Sequence, residues 1–431
     1  MLFKKAAGNI SLLRLNMLTY VFYVPLLLMS FIGSVMIVLE LDNHYLINKI
    51  QNDETRYVGW AAIMYSMVMV PLGMLFSKKL FQIKSVKSVL ANIAEKPIVN
   101  YLPKNEIILK SLLYLLSFVG IASLIYTFYH IGTIPLLEMI NDSENLARLR
   151  QEAGREFDAN VYIKNIFAIN LLPILAFISW AYYNKSRNSL DLAWFVIMLI
   201  ASLLILSYDL QKSPAALFLI GFIFYFTYVH GRIKLRYFML LVIVFFSVIL
   251  MFYSETTNIN FEQAILTYNH GVIGRTVFSN IAGTFFSFEY FGSIHEFIGN
   301  RSLSTFVELF SVEHSERSSR IIMETINPQA VEAGTAGVIN SLFIGEAWAN
   351  YGLLGVILSP FYIGFLIGTL FYFFLRSSKT PVIIGLYVYF CYSSAVEGGF
   401  NDYIYNIGFL FIFFLFSTLL YISKYLNNKL T

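Results

Sequence analysis

Apolar runs of roughly 17 to 25 residues recur along the whole chain, and nothing else in it constrains the fold as strongly. A run of that length crosses a bilayer as a helix, because only a helix bonds every backbone group within its own segment. The chain is 58% hydrophobic and 13% charged, with a mean hydropathy of +0.66. Soluble domains carry about a quarter charged residues, so a soluble globule is excluded. The expected fold is all-α: a polytopic integral membrane protein forming one transmembrane domain over residues 1–431. Its lone Cys391 lies in an apolar run, which rules out a disulfide within the chain and argues against a Cys-based metal site. The first run is too long for a cleavable signal and lacks a small-residue cleavage site, so it reads as a retained span.

About 10 transmembrane helices are expected, near residues 18–39, 58–76, 107–129, 166–183, 192–207, 214–228, 237–253, 353–374, 382–396 and 403–422. The stretch from Gly337 to Phe374 is too long for one span. It divides into a short outer-surface helix over 338–350 and the eighth span. Val86, Val89, Leu90 and Ile93 are spaced as a helix lying on the membrane surface. Lysines gather at both termini and between the second and third spans, which places both termini in the cytoplasm. Two large extracytoplasmic loops follow, 130–164 and 254–336, each carrying short surface helices.

The inward segments hold 14 Lys and 5 Arg, whereas the outward ones hold 3 Lys and 8 Arg. The first pair of numbers is the ordinary positive-inside bias. The second needs another reason, because that bias does not separate Lys from Arg. A guanidinium group grips phosphate oxygens in two places, and an ammonium acts as a point charge. The 254–336 loop has no Lys and no Asp, and its fixed cations are Arg275, Arg301, Arg317 and Arg320. It is read either as one side of a diphosphate site or as a loop whose arginines pair with its nine glutamates.

Several constellations can carry chemistry. In the first large loop, Arg148, Glu152 and Arg155 line up at i, i+4 and i+7 while Arg150 points elsewhere, following a helix start at Asp142 or Ser143. They face a lipid headgroup, or they form an interfacial helix with its own salt bridge. Arg148, Arg150, Arg155 and Arg275 together would balance the charge that develops on a departing lipid-linked diphosphate. Arg317 and Arg320 are a possible second anion site or a self-paired turn. His270, five residues before Arg275, is a general base toward a sugar hydroxyl or a structural histidine. Glu346 lies inside an apolar run, where a carboxylate is costly and tends to serve a purpose: base, arginine partner or sugar ligand. Trp348 and Tyr351 offer ring faces for a sugar.

The chain has no P-loop, no dinucleotide fingerprint and no His-Glu-x-x-His. Glu40-Leu41-Asp42 has the acidic look of metal-dependent glycosyltransferases that use lipid-phosphate sugars, or is a solvated loop start. No cofactor and no nucleic-acid partner is expected.

The block Gly337-Val338-Ile339-Asn340-Ser341-Leu342-Phe343-Ile344-Gly345-Glu346-Ala347-Trp348-Ala349-Asn350-Tyr351-Gly352-Leu353-Leu354-Gly355 resembles a signature of O-antigen polymerases. These are the Wzy-type oligosaccharide repeat-unit polymerases, in which a Gly-Glu, aromatic, Asn, aromatic-Gly, Gly pattern precedes a late span. The Gly274-Arg275 segment and the plan of many spans with two main outward loops are also similar. A regular Arg-x10-Gly loop pattern described for some members is not clear in this chain. The resemblance implies a metal-independent enzyme at the outer face of a bacterial inner membrane. It would transfer a growing glycan from undecaprenyl diphosphate to the non-reducing end of a new lipid-linked unit. Arg148, Arg150, Arg155 and Arg275 would hold the diphosphate. His270 or Glu346 would activate or orient the acceptor hydroxyl, with Trp348, Asn350 and Tyr351 as sugar contacts. The implied partners are the undecaprenyl-diphosphate-linked oligosaccharide, the bilayer, a chain-length regulator and a flippase.

Three rival readings differ in testable ways. An O-antigen ligase uses the same chemistry on another acceptor. A lipid-linked oligosaccharide flippase would carry more spans, internal repeats and a charged cavity between helices. A metal-dependent glycosyltransferase would use Glu40 and Asp42.

Overall fold

The computed structural model describes residues 1–102, 106–141, 153, 157–254, 269, 271–302, 317–332, 337–393, 398–404 and 406–430. Among these the chain is helical, with one isolated bridge between Phe291 and His295. Among the described residues eight helices are long and apolar enough to cross a membrane. They include α1 (Met17–Val38), α2 (Asp53–Leu80) and, after a short amphipathic helix α3 (Val86–Glu95), α4 (Ile107–Ile131). Next come α5 (Ile163–Ser186), α6 (Ser189–Leu206) and α7 (Lys212–His230). Two further apolar helices, α8 (Leu235–Ser254) and α12 (Pro381–Ser393), fall where the seventh and ninth spans were expected. The chain is an all-α, multi-pass membrane protein.

The segments Val272–Gly274, Arg275–Ser279 and Asn280–Tyr290 follow one another as one helical run, α9. Beyond it lie α10 (Ser318–Ile326), α11 (Phe343–Arg376), α13 (Asn401–Ile404) and α14 (Ile407–Leu430). In α5, 72% of the most apolar stretch is buried, against 22% for the last span, so α5 is central and α14 peripheral.

Lipid tails are as apolar as leucine, so spans associate by close packing and not by hydrophobic exclusion. The α2–α11 interface shows how. A Cβ added to Gly73 would lie 2.1 Å from the Phe361 carbonyl oxygen, and one added to Gly364 would lie 2.0 Å from that of Val70. Bare backbone therefore meets bare backbone, and the Ser77 and Thr369 hydroxyls bond across the same seam at 3.0 Å.

Glycine at 352 has a different use. Its φ of 57° and ψ of −138° break α11 into a short leading helix, Phe343 to Tyr351, and a long span beyond. That conformation is all but closed to residues with a Cβ. The expected division of this stretch is present, but the leading helix starts at Phe343 and not near Val338.

Within 254–336 the structure adds a feature absent from the sequence reading. Helix α9 is packed, not an open loop. Val277, Phe278, Ile281, Ala282, Phe285 and Phe286 are buried. The helix crosses both early spans: the Val277 carbonyl lies where a Cβ on Gly33 would be, and the Phe285 ring closes on Gly59. The loop between α1 and α2 folds over it. His44 is buried and stacks on Phe278 at 5.4 Å, and the Gln51 amide donates to Glu289 at 2.8 Å. Asp42 pairs with Arg56, so the one carboxylate of the Glu40-Leu41-Asp42 triplet that lies inward faces a guanidinium.

Substituting Gly364 with Ala should lower the stability of the detergent-purified protein by about 1–3 kcal/mol, the usual range for overpacking. A Cβ added to Gly337 would meet nothing within 4 Å, so Gly337→Ala serves as the neutral comparison. Thermal unfolding checks both; equal midpoints for the two variants would contradict the close α2–α11 approach.

Candidate functional site

The short leading half of α11 carries Glu346 and Asn350, one turn apart and therefore on one face. Helix α9 fixes where this half begins. The Thr284 hydroxyl accepts the Leu342 amide at 2.9 Å, the Gly283 amide donates to the Asn340 carbonyl at 3.0 Å, and Gly345 sits directly on Thr284.

Glu346 is 3% exposed. Its Oε2 accepts the backbone N–H of Asn401 at 2.9 Å, and its Oε1 lies 3.6 Å from the Arg317 guanidinium. Arg317 in turn grips Asp402 in bidentate fashion, at 2.8 and 3.3 Å. Asn350 donates to the Asn401 side chain at 3.1 Å, and that side chain donates to Ser302. The Asn350 side-chain Oδ1 is buried without a hydrogen-bond partner among the described residues. One carboxylate thus gathers three separate pieces of chain: the start of α10, the leading half of α11 and the turn into α13.

That turn contains Gly399 for a steric reason. A Cβ there would sit 2.2 Å from Glu346 Oε2 and 2.7 Å from an Arg317 nitrogen. Burial works against the Arg317 charge, but its bond to Asp402 and the charges of Asp402 and Glu346 outweigh it, so its pKa is raised. The pair is open on one flank, with the Arg317 and Asp402 side chains 37% and 41% exposed.

The residues singled out from sequence divide sharply. Glu346 and Asn350 come together with Arg317. Trp348, two positions on from Glu346, points to another face. Its ring packs on Phe288 and Phe297, and its N–H donates to the Phe291 carbonyl. Tyr351 donates to Asn300 at 2.9 Å and meets Phe400 edge-on. Arg320 pairs with Glu324 one turn along α10 at 2.8 Å. Both arginines of the possible second anion site therefore already face carboxylates.

Arg275 is exposed on α9, nine residues before Thr284. At about 1.5 Å per residue that is roughly 13 Å along the helix from the Glu346 neighbourhood. Arg148, Arg150, Arg155 and His270 lie outside the described residues. Asn401 and Asp402 were not singled out from sequence. Their signal was Glu397-Gly398-Gly399-Phe400-Asn401-Asp402 itself, a glycine pair beside a carboxylate between two apolar runs. Among the described residues no group of three or more His, Cys, Asp or Glu is placed to hold a metal ion.

The fold and site define a multi-pass helical membrane protein with a buried carboxylate–guanidinium cluster at its loop-rich end. No protein-family model, curated protein or solved structure matches the chain.

Removing Arg317 leaves the Glu346 carboxylate buried beside Asp402 with no cation among the described residues. Arg317→Ala should destabilise the protein by about 2–4 kcal/mol, reduced from the 3–5 of a fully buried pair because Arg317 is partly solvated. The double variant Arg317→Ala/Glu346→Gln should recover part of that loss, since no charge is then stranded. Thermal midpoints of these two variants and of Glu346→Gln give the answer, and additive losses would mean that the pair is not coupled.

Proposed function

We propose that the chain is a membrane glycosyltransferase that polymerises lipid-linked oligosaccharide repeat units at the outer face of a bacterial inner membrane. The growing glycan passes from undecaprenyl diphosphate to the non-reducing end of the incoming lipid-linked unit. The observation that carries this reading is the Glu346 cluster, built within the block that resembles the O-antigen polymerases. A carboxylate in an apolar helix, held by Arg317 and by a backbone N–H, marks a pre-organised polar site and suits a neutral polar acceptor.

Charge balance divides the work. Among the described residues two carboxyl groups, Glu346 and Asp402, face a single guanidinium, so acidic groups outnumber cations in this cluster. It suits a hydroxyl about to lose a proton, not a diphosphate. In the reaction the acceptor oxygen attacks the anomeric carbon, the bond from that carbon to the carrier phosphate breaks, and the hydroxyl proton passes to a base. In this reading Asp402, partly open beside Arg317, and Glu346, on the same guanidinium, are the carboxylates that serve that step. The departing diphosphate needs cations elsewhere, and Arg275 with Arg148, Arg150 and Arg155 supplies them in this reading.

The test is a ladder assay with purified protein and a lipid-linked repeat unit. Glu346→Gln and Asp402→Asn should each slow chain growth, with a loss of about 10²-fold or more for the variant that removes the base. Arg275→Lys should abolish long chains while the protein still inserts. Full-length ladders from all three variants would overturn the reading. A single transfer to a different acceptor, with no ladder, would identify a ligase instead.

A further inference from the structure

The opposite, lysine-rich end of the bundle holds a second feature. A cavity of ≈ 680 Å³ lies between α3 and the turn joining α11 to α12. Lys84, Lys96, Arg376 and Lys379 line it, and no carboxylate does. Two of these cations build the wall. Lys379, buried at 6% exposure, donates to the carbonyls of Ile93, Lys96 and Val229 at 2.7 to 2.8 Å, and so anchors the C-terminal end of α3. Arg376 donates to the Phe81 carbonyl at 2.7 Å. The other two, Lys84 and Lys96, are exposed, and their ammonium groups meet no acceptor among the described residues. Four cations around one space without an acid leave a concentrated positive potential.

We propose that this cavity binds a phosphate-bearing anion, with the headgroup of an anionic phospholipid as its occupant. The lipid source is favoured by what borders the cavity. Val99 in its lining is 42% exposed, and Leu80 and Phe373, close in sequence to lining residues Gln82 and Arg376, are 57% and 44% exposed. An acyl chain lies along such a ledge while the phosphate enters among the lysines. Basic pockets between spans take acidic headgroups in this way. The site is separate from the Glu346 cluster and does not depend on the reaction catalysed there.

The experiment titrates short-chain phosphatidylglycerol into the full-length protein in neutral detergent and follows the thermal midpoint. Short-chain phosphatidylcholine and inorganic phosphate run in parallel. Phosphatidylglycerol should raise the midpoint saturably and phosphatidylcholine should not. The Lys84→Gln/Lys96→Gln variant should need about 30-fold more lipid, the effect of removing two cations beside a lipid phosphate. Lys4→Gln/Lys79→Gln, which removes two exposed lysines of the same end that do not line the cavity, should behave as the unaltered protein. If inorganic phosphate stabilises equally and shows the same loss, the anion site stands and its occupant is a soluble phosphate. Equal responses to both lipids, or equal losses in the two double variants, would overturn the proposal.

Discussion

A carboxylate inside an apolar helix is tolerated only when charge and hydrogen bonds meet it there, and at Glu346 both do. Arg317 supplies the charge and the Asn401 amide supplies the bond. Because these partners come from distant stretches of chain, satisfying one side chain fixes the relative placement of α10, α11 and α13. Asp402 then balances the outer side of the same guanidinium. The cluster is structural through this one set of contacts, and the proposed reaction would draw on the same groups.

Glycine makes that convergence possible at two scales. Along α2 and α11, Gly73 and Gly364 bring backbones into contact and set a rigid frame. At Gly352 the break in α11 turns its leading half away from the line of the span, so that Glu346 sits at the loop-rich end. At Gly399 the absence of a Cβ lets the turn close onto the carboxylate. Helix α9, wedged against α1 and α2, holds the start of that leading half through Thr284 and Gly283. The frame is thus defined by close backbone approach and the site by what the frame brings within hydrogen-bond reach.

How much of this was legible depended on whether the signal was local. Eight of the ten expected spans were, because a long apolar run reports its own environment. Glu346 stood out for the converse reason, a lone carboxylate in such a run. The division of the Gly337–Phe374 stretch was also visible, since its length exceeds one span. The partners of Glu346 were not: Arg317 is 29 positions before it and Asp402 is 56 after it, and no local pattern links them. Helix α9 was missed because Arg275, Asn280 and Glu289 interrupt its hydropathy, although Ile281, Ala282, Phe285 and Phe286 form a helical stripe. Trp348 and Tyr351 were read as ring faces for a sugar, and sequence does not report the aromatic neighbours that each already meets, Phe288 and Phe297 for the first and Phe400 for the second.

The Glu346 carboxylate, on this view, holds the 398–404 turn in place. Amide hydrogen exchange on the purified protein, compared with Glu346→Ala, measures this directly. Markedly faster exchange is predicted at Asn401 and its neighbours and at the start of α10, with α2 and the long half of α11 unchanged. Unaltered exchange at Asn401 in the variant would contradict it.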